Sequence, residues 1–297
     1  MKIAALEYRL FPEIKEQVQA LASNKIIFPG ERCPEGEQAL RTADAEIVLV
    51  TPWDKVDTAY LNACPHLKYV GLCGTSTANI DLDELARRSI AFSNIISRDK
   101  ESVAEYFFMQ LVGLARGTGK YQWKPGEEHE LVDKSIGIIG LGEVGKAIAH
   151  MALAYKMKVT YNSPHRKPEW EERGLTYIEM NELLGSNEII VICSPTNVEV
   201  IDRVAFDVIR PGSILVQASS GSPFSQQNFM DWIAQEGNYA LFDMSAGVKN
   251  YEAYKDIPRV LFSKTVAGDT YESNQRRGQR ALENLRGFLA NMTPKAQ

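Results

Sequence analysis

Three glycines in SIGIIGLGEVGKAIAHMALAYKMKVTYN (residues 135–162), at positions 140, 142 and 145, form the most specific chemical signal in the chain. The run before Gly140 reads as a strand, the run after Gly142 as a helix, and KVTYN as a second strand ending near Asn162. In that frame Gly140 permits a tight turn, Gly142 lets backbone amides approach a pyrophosphate, and Gly145 lets helix and strand pack closely. The N–H groups at the helix start, around Glu143 and Val144, attract phosphate through their unpaired donors and the helix dipole. A lone G-x-G-x-x-G is weak evidence. Flanked by strand, helix and second strand, it predicts a dinucleotide-binding crossover.

The choice of dinucleotide turns on the end of the second strand, roughly 20 residues past the first glycine. An acid there accepts from the ribose hydroxyls and repels a 2′-phosphate. This chain has Asn162 instead, followed by SPHRK. Asn162 and Ser163 bring hydrogen-bond donors, Arg166 a charged fork, and His165 and Lys167 further positive character. The pattern favours NADP(H). NAD(H) remains the other reading, with SPHRK a solvated basic loop.

The elements that must hold this chemistry alternate. KIAALEY, EIVLVT and KYVGLCG read as strands separated by amphipathic stretches such as FPEIKEQVQALASN and DLDELARRS, which implies a parallel sheet. SVAEYFFMQLVGLARG (102–117) is a long apolar helix, suited to a core or to an oligomer interface. Pro, Gly and charges break the pattern at 120–134. A second series, SIGIIG, KVTYN, EIIVIC, GSILVQA and YALFDM, follows, and RRGQRALENLRGFLANM closes the chain as one amphipathic helix.

At 297 residues the chain is long enough for two domains with their own cores. A net charge of −5 without a long Lys/Arg run argues against nucleic acid and for a small-molecule partner. Cys33, Cys64, Cys73 and Cys193 lie far apart with no C-x-x-C pair, so neither a disulfide framework nor a zinc site is expected. No run approaches the roughly 20 apolar residues of a membrane span, and the expected location is the cytoplasm.

With these motifs in order, the chain resembles the D-isomer-specific 2-hydroxyacid dehydrogenases, the family of glyoxylate/hydroxypyruvate reductases and phosphoglycerate dehydrogenases. The resemblance rests on VGLCGTSTANIDLDELARRSIAFSN, SVAEYFFMQL, SIGIIGLGEVGKAIA, ICSPTN, IRPGSILVQASSG, LFDM and VAGDTYES, which together span nearly the whole length. It implies an α/β fold with two Rossmann-like domains. A central dinucleotide-binding domain (99–271) interrupts a split, flavodoxin-like substrate domain (1–98 plus 272–297). It further implies a homodimer through the cofactor domains, with the 102–117 helix at the interface. Cofactor contacts are expected from Cys193, Ser194 and Pro195, from the backbone of Ala218 and Ser219, and from Asp243 facing the nicotinamide carboxamide or merely capping a strand end. The amides around Leu72, Cys73 and Gly74 match the loop that holds the substrate carboxylate.

The same alignment reveals what is missing. Ser220 stands where the family has its substrate-binding arginine, Val248 or Lys249 where it has a glutamate, and Thr265 where it has a general-acid histidine. The last histidine is His165, so no shift of register restores one. Losing an oxyanion-type donor of about 3 kcal/mol together with a general acid worth roughly 10²- to 10⁴-fold disables ordinary 2-keto-acid reduction by that route.

Replacement groups are sought nearby. Arg98 and Lys100 in SRDKESVAE are candidates for anion binding, and Lys100 for proton donation if burial lowers its pKa; both also read as solvated cations. Ser220 is a candidate substrate contact or a simple turn residue. Asp269 is a candidate acid beside Thr265 or a helix N-cap. Lys249, Tyr251 and Tyr254 lie on the altered segment, which also reads as a mobile surface loop. Trp53 is either a pocket wall or domain packing. Three functions stand at this point: an NAD(P)H-dependent oxidoreductase with a non-standard site reducing an unusual small carbonyl or imine, a catalytically silent dinucleotide-binding sensor or interaction protein, and a weak 2-keto acid reductase.

Overall fold

The computed structural model describes residues 1–34, 36–95, 100–195 and 198–292. Two compact units account for the chain, one from Met1–Arg98 with Thr270–Gln297 and one from Asp99–Asp269. The return to the first unit comes at residue 270, two positions before the sequence-based boundary at 272. The reason is local: Thr270 Oγ1 accepts from the Ser273 N–H at 3.1 Å, so Thr270 starts the last helix.

The first unit opens with β1 (Ile3–Ala5), α1 (Pro12–Leu21), α2 (Gln38–Thr42), β2 (Ile47–Val50), α3 (Thr58–Ala63), β3 (Tyr69–Leu72), α4 (Leu82–Arg87) and β4 (Ala91–Ser93). Its strands are parallel, in the order β1-β2-β3-β4. IVLV in β2 is buried throughout because helices cover both faces. Ile47 and Leu49 enter the core that also holds Ile14 and Val18 of α1, whereas Val48 and Val50 enter the one that holds Tyr60 and Leu61 of α3. The outer edge of β1 is closed by a side chain: the Asn24 amide accepts from the Ile3 N–H at 3.0 Å and donates to the Ile3 carbonyl at 3.2 Å.

The second unit contains α5 (Lys100–Arg116), β5 (Ser135–Ile139), α6 (Glu143–Ala154), β6 (Lys158–Asn162), α7 (Pro168–Glu171), β7 (Thr176–Tyr177), α8 (Met180–Ser186), β8 (Ile189–Ile192), α9 (Arg203–Val208), β9 (Ile214–Gln217), α10 (Gln226–Ala234), β10 (Tyr239–Phe242), α11 (Val248–Tyr254) and β11 (Val260–Phe262). The seven strands are parallel in the order β11-β10-β9-β8-β5-β6-β7. β5 therefore lies between β6 and β8, and the strand order reverses there. A crevice opens outside the carboxyl ends at such a switch point. Ile136, Ile138, Val191 and Val216 face a core shared with α5 and α6; Ile139, Ile190, Ile192 and Leu215 face the opposite one. Helix α12 (Tyr271–Met292) returns to the first unit and buries Ala281, Leu282 and Leu285 beside β3.

The apolar 102–117 stretch buries Phe107, Phe108, Leu111 and Leu114 but leaves Met109 61% exposed. The irregular 120–134 segment is tied down, since buried Trp123 donates from Nε1 to the Gly212 carbonyl at 2.9 Å.

Candidate functional site

At the switch point each glycine of the motif meets a separate steric demand. Gly140 has φ +92°, and a Cβ there would lie 2.7 Å from the Cys193 carbonyl oxygen. A Cβ on Gly145 would lie 2.2 Å from the Gly140 carbonyl oxygen, so α6 crosses the β5 turn only without a side chain. Gly142, the N-cap of α6, has nothing within 4 Å of its Cβ position and no side chain capping the helix. An open approach onto uncapped N–H groups, beside Glu143 and Val144, is what a pyrophosphate requires.

The neighbouring strand ends carry buried polar atoms without a protein partner among the described residues: Ser194 Oγ beyond β8, and Gln217 Oε1 and Ser219 Oγ at the end of β9. Such atoms cost stability unless something else satisfies them. Together with the Gly142 opening they fit a dinucleotide lying across the switch point. Cys193 borders this edge, and burial pushes its thiol up to about 12, so it remains protonated and unreactive at neutral pH. Pro195 is exposed.

The turn after β9 is built from beneath. Buried Gln217 donates from Nε2 to the carbonyls of Ser219 (3.2 Å) and Gly221 (2.6 Å), and Asn250 of α11 donates to the Gly221 carbonyl at 3.3 Å. Gly221, at φ +81°, donates its N–H to the Ser245 carbonyl. Ala218 is part-buried, and Ser220 is the exposed residue of the turn. Gln217 and Asn250 have a positioning role that the sequence analysis missed; a polar residue ending a buried apolar strand was the available signal.

Asp243 is 2% exposed, and both of its oxygens are engaged. Oδ1 accepts from the Ser245 N–H (3.2 Å) and hydroxyl, and Oδ2 accepts from the Ala267 N–H at 2.7 Å. Burial raises its pKa despite these bonds. It caps the short 3₁₀ turn Met244–Ala246. Beside it, the Tyr106 hydroxyl of α5 lies 2.6 Å from Ser263 Oγ, and burial raises its pKa too.

Several expectations are corrected. The segment holding Lys249, Tyr251 and Tyr254 is helix α11 rather than a loop, and Tyr254 is buried among Phe229 and Phe242. Val248, Lys249 and Thr265 are exposed. Asp269 is exposed, next to Thr270, whose hydroxyl accepts from the Ser273 N–H at the start of the last helix. Lys100 lies in an ion-pair cluster rather than an apolar enclosure, its Nζ 3.3 Å from Glu143 and 3.7 Å from Glu101. It borders a cavity of about 520 Å³ between α5, α6 and α7, lined also by Lys146, His150, Trp170 and Arg173. Arg98 lies outside the described residues.

At the end of β6, Asn162 turns its amide inward and donates to the Ile178 carbonyl at 2.9 Å. The Ser163 hydroxyl donates to the His165 carbonyl. Arg166 is 63% exposed at its side chain, forms a two-point pair with Glu171, and lies 5.4 Å from the centre of the Tyr177 ring. Glu171 also accepts from the Tyr161 hydroxyl. No acidic residue stands at the strand end itself.

In the first unit the β2/β3 ladder runs one residue past β3, because Cys73 donates its N–H to the Val50 carbonyl at 2.8 Å. Leu72 and Cys73 are thereby committed to the sheet. The N–H groups without a protein acceptor among the described residues begin at Gly74 and continue through Thr75 and Ser76, so the expected nest moves along by two residues. The Gly74 and Thr75 carbonyls are turned toward Ile95 and Asn94, which donate to them.

A parallel sheet ordered around a glycine-bearing switch point, with an open helix start and unpaired polar atoms along its carboxyl edge, defines a nicotinamide-dinucleotide-dependent oxidoreductase. Residues 108–249 match the model of the D-isomer specific 2-hydroxyacid dehydrogenase NAD-binding domain, and the chain is similar to that family along most of its length. It is 27% identical over 282 residues to a glyoxylate reductase of Thermococcus litoralis, covering 86% of this chain and 84% of the relative. Among solved structures, apo D-lactate dehydrogenase of Escherichia coli aligns with TM-score 0.80 at 20% identity over 99% of both chains. An acyclic imino acid reductase in complex with NADPH and D-Arg aligns with TM-score 0.81 at 23% identity, again over 99% of both. At these identities the two structural likenesses establish the fold. Among the described residues no helix is long and apolar enough to cross a membrane.

Proposed function

We propose that this chain is an NADP(H)-dependent reductase with a non-standard active site, acting on a small carbonyl or imine that needs less acid assistance than a simple 2-keto acid. The carrying observation is Ser220: the turn is held rigidly by Gln217 and Asn250, yet its exposed position offers a hydroxyl where the family offers a guanidinium. No histidine follows position 165 to act as general acid. A bound nicotinamide supplies hydride chemistry. The protein's share is to orient the dinucleotide on the α6 start and the strand ends. The imino acid reductase among the fold neighbours supports the imine arm, since that protein holds NADPH on the same scaffold.

The NADP(H) preference rests on the missing acid at 162 and on Arg166, which keeps further N–H donors beyond those given to Glu171. A charge-assisted hydrogen bond of about 1.5–3 kcal/mol makes NADPH bind roughly ten- to a hundredfold more tightly than NADH. Fluorescence titration tests it; NADH preference, or an unchanged ratio in Arg166→Ala, overturns it. We further propose that the α5 flank bearing Met109 is the homodimer surface, checked by the mass in solution of wild type and Met109→Glu. A panel of 2-keto acids, aldehydes and imines with NADPH tests the substrate class. A 2-keto acid reductase is the second reading, favoured by the glyoxylate reductase relative, and rapid glyoxylate turnover would establish it in place of the first.

A further inference from the structure

Two hydroxyls that the nucleotide motif does not use meet at the carboxyl end of β11. The Tyr106 hydroxyl of α5 lies 2.6 Å from Ser263 Oγ and 3.5 Å from the Phe242 carbonyl, and the Gln110 side-chain amide donates to it at 3.4 Å. The phenol has one proton to place, and the shorter contact, to Ser263, takes it. Ser263 Oγ also accepts from the Thr265 N–H at 3.1 Å. It is thus an acceptor twice over, and its own proton has no acceptor among the described residues. Gln110, Tyr106 and Ser263 form a chain of donors running one way, each bond polarising the next. Tyr106 and Ser263 are both half-buried.

The pair lies beside the site already described. The Ala267 N–H reaches Asp243 Oδ2 at 2.7 Å, the Met244 N–H the Thr265 carbonyl at 3.0 Å, and the Gly221 N–H the Ser245 carbonyl at 3.2 Å, so the ends of β9, β10 and β11 are stitched together in sheet order. The glycine motif commits β5, β6 and the α6 start to one half of the dinucleotide, which leaves β8 to β11 for the nicotinamide half. Asp243 has both oxygens taken as acceptors. The exposed hydroxyls of Ser220 and Thr265 have no titratable group bonded behind them among the described residues. Ser263 does. The Tyr106 phenol stays protonated at neutral pH because burial raises it, with Asp243 as the charged neighbour acting in the same direction.

We propose that Tyr106 and Ser263 are the proton-delivery pair of the reductase: Ser263 Oγ donates to the substrate heteroatom, and Tyr106 replaces the proton. The inference rests on the reading of the chain as a carbonyl or imine reductase and adds the source of its proton. Hydride passes from the reduced nicotinamide to the substrate carbon, and the electron pair of the C=O or C=N π bond moves onto oxygen or nitrogen. That atom takes the Ser263 proton, Ser263 takes the Tyr106 proton, and water reprotonates the phenolate. The dinucleotide is oxidised and the substrate reduced by the one electron pair. An ordinary phenol titrates at about 10 and an imidazolium at about 6.5, so this pair gives less assistance than a histidine would. That matches a substrate with a modest need for acid.

Steady-state assays with NADPH and glyoxylate, phenylglyoxylate or pyrroline-2-carboxylate, whichever turns over fastest, test it. Tyr106→Phe and Ser263→Ala should each lower kcat at least about tenfold with NADPH affinity and melting temperature kept, and the double variant should be no slower than either. Ser263→Thr, which keeps the hydroxyl, should stay faster than Ser263→Ala. A second readout needs no cofactor. In the unliganded protein, isotope-labelled at tyrosine Cζ and followed by NMR, the Tyr106 signal is identified by its loss in Tyr106→Phe. It should turn to phenolate at higher pH in Ser263→Ala than in wild type, since Ser263 hydrogen-bonds the phenolate. Unchanged kcat in either single variant, losses that multiply in the double one, or a loss that comes with weakened NADPH binding overturns the pair while leaving the reductase standing. So does a Ser263→Thr protein as slow as Ser263→Ala, or an unmoved Tyr106 titration. Failure of all three substrates to turn over overturns the reductase reading, and the inference with it.

Discussion

Replacing Gly145 and Gly142 separately by alanine divides the nucleotide motif into its structural and its binding part. A Cβ on residue 145 must sit 2.2 Å from the Gly140 carbonyl oxygen, about 1 Å inside ordinary contact. That neighbour is backbone at φ +92° and has no rotamer by which to withdraw, so α6 must move off β5. Overpacking costs about 1–3 kcal/mol, and a backbone clash belongs at the upper end. Alanine recovers about 1 kcal/mol over glycine within a helix, leaving a net loss of about 2 kcal/mol. For a unit of this size that lowers the melting temperature by roughly 4–8 °C. Gly142→Ala meets nothing within 4 Å, so the unliganded protein should melt within about 2 °C of wild type. Its methyl group instead stands over the donors at the α6 start, and NADPH affinity should fall at least tenfold. Scanning calorimetry without nucleotide and fluorescence titration with it measure the two effects. A Gly145→Ala protein as stable as wild type, or a Gly142→Ala protein with unchanged NADPH affinity, refutes the geometry.

Three other expectations concern the supports of the site. Gln217→Leu removes the two donors beneath the Ser219–Gly221 turn and should cost about 1–3 kcal/mol in urea unfolding, with reduced turnover; an unchanged midpoint would show that Asn250 alone suffices. Asp243 has its folded pKa raised by burial, so its contribution to stability is fully present below the unfolded carboxyl value and is lost as pH rises through the folded one. The stability of wild type minus that of Asp243→Asn should therefore fall with rising pH across the acidic range, and a difference that rises contradicts the burial argument. Cys193, with its thiol at about 12, should react with iodoacetamide at pH 8 on the order of 10³-fold more slowly in the native protein than in urea; equal labelling by mass spectrometry would contradict its enclosure.

The motif glycines were legible because each answers a backbone requirement that no other residue meets, and strand alternation announced the two parallel sheets. Ser220 could be assigned because the turn after GSILV aligns without gaps. What escaped depends on contacts between segments. Arg166 reads as an available fork, but α7 brings Glu171 back onto it. Asn162 reads as a donor to a 2′-phosphate, but the chain leaving β7 draws its amide inward onto the Ile178 carbonyl. That the Cys73 amide is used up in the sheet was not legible, because nothing in KYVGLCG reveals that the ladder continues through it. Arg9 looked like an ordinary charge in MKIAALEYRLF. Its order depends on buried Glu7 clamping its guanidinium and on Trp53, 44 residues further along, packing against it.

The distribution of order within the second unit argues for a redirected chemistry rather than a decayed one. A site released from function would be expected to lose first the features that cost stability, since buried atoms without partners destabilise by about 1–3 kcal/mol each. Ser194 Oγ, Gln217 Oε1 and Ser219 Oγ persist in that condition at adjoining strand ends. Gly145 persists inside α6, where alanine would be the better helix former. The turn bearing Ser220 keeps three side-chain N–H donors aimed at its carbonyls. Stability accounts for Gly145, through the clash with the Gly140 carbonyl, and for the donors beneath the turn; it does not account for the three unpartnered polar atoms, which a bound dinucleotide would satisfy. If Ser220 contacts substrate, Ser220→Ala should reduce kcat/KM on the true substrate by at least about fivefold while leaving NADPH affinity and melting temperature unchanged. If it is only a turn residue, all three stay at wild-type values, and the case for redirected chemistry at this turn fails.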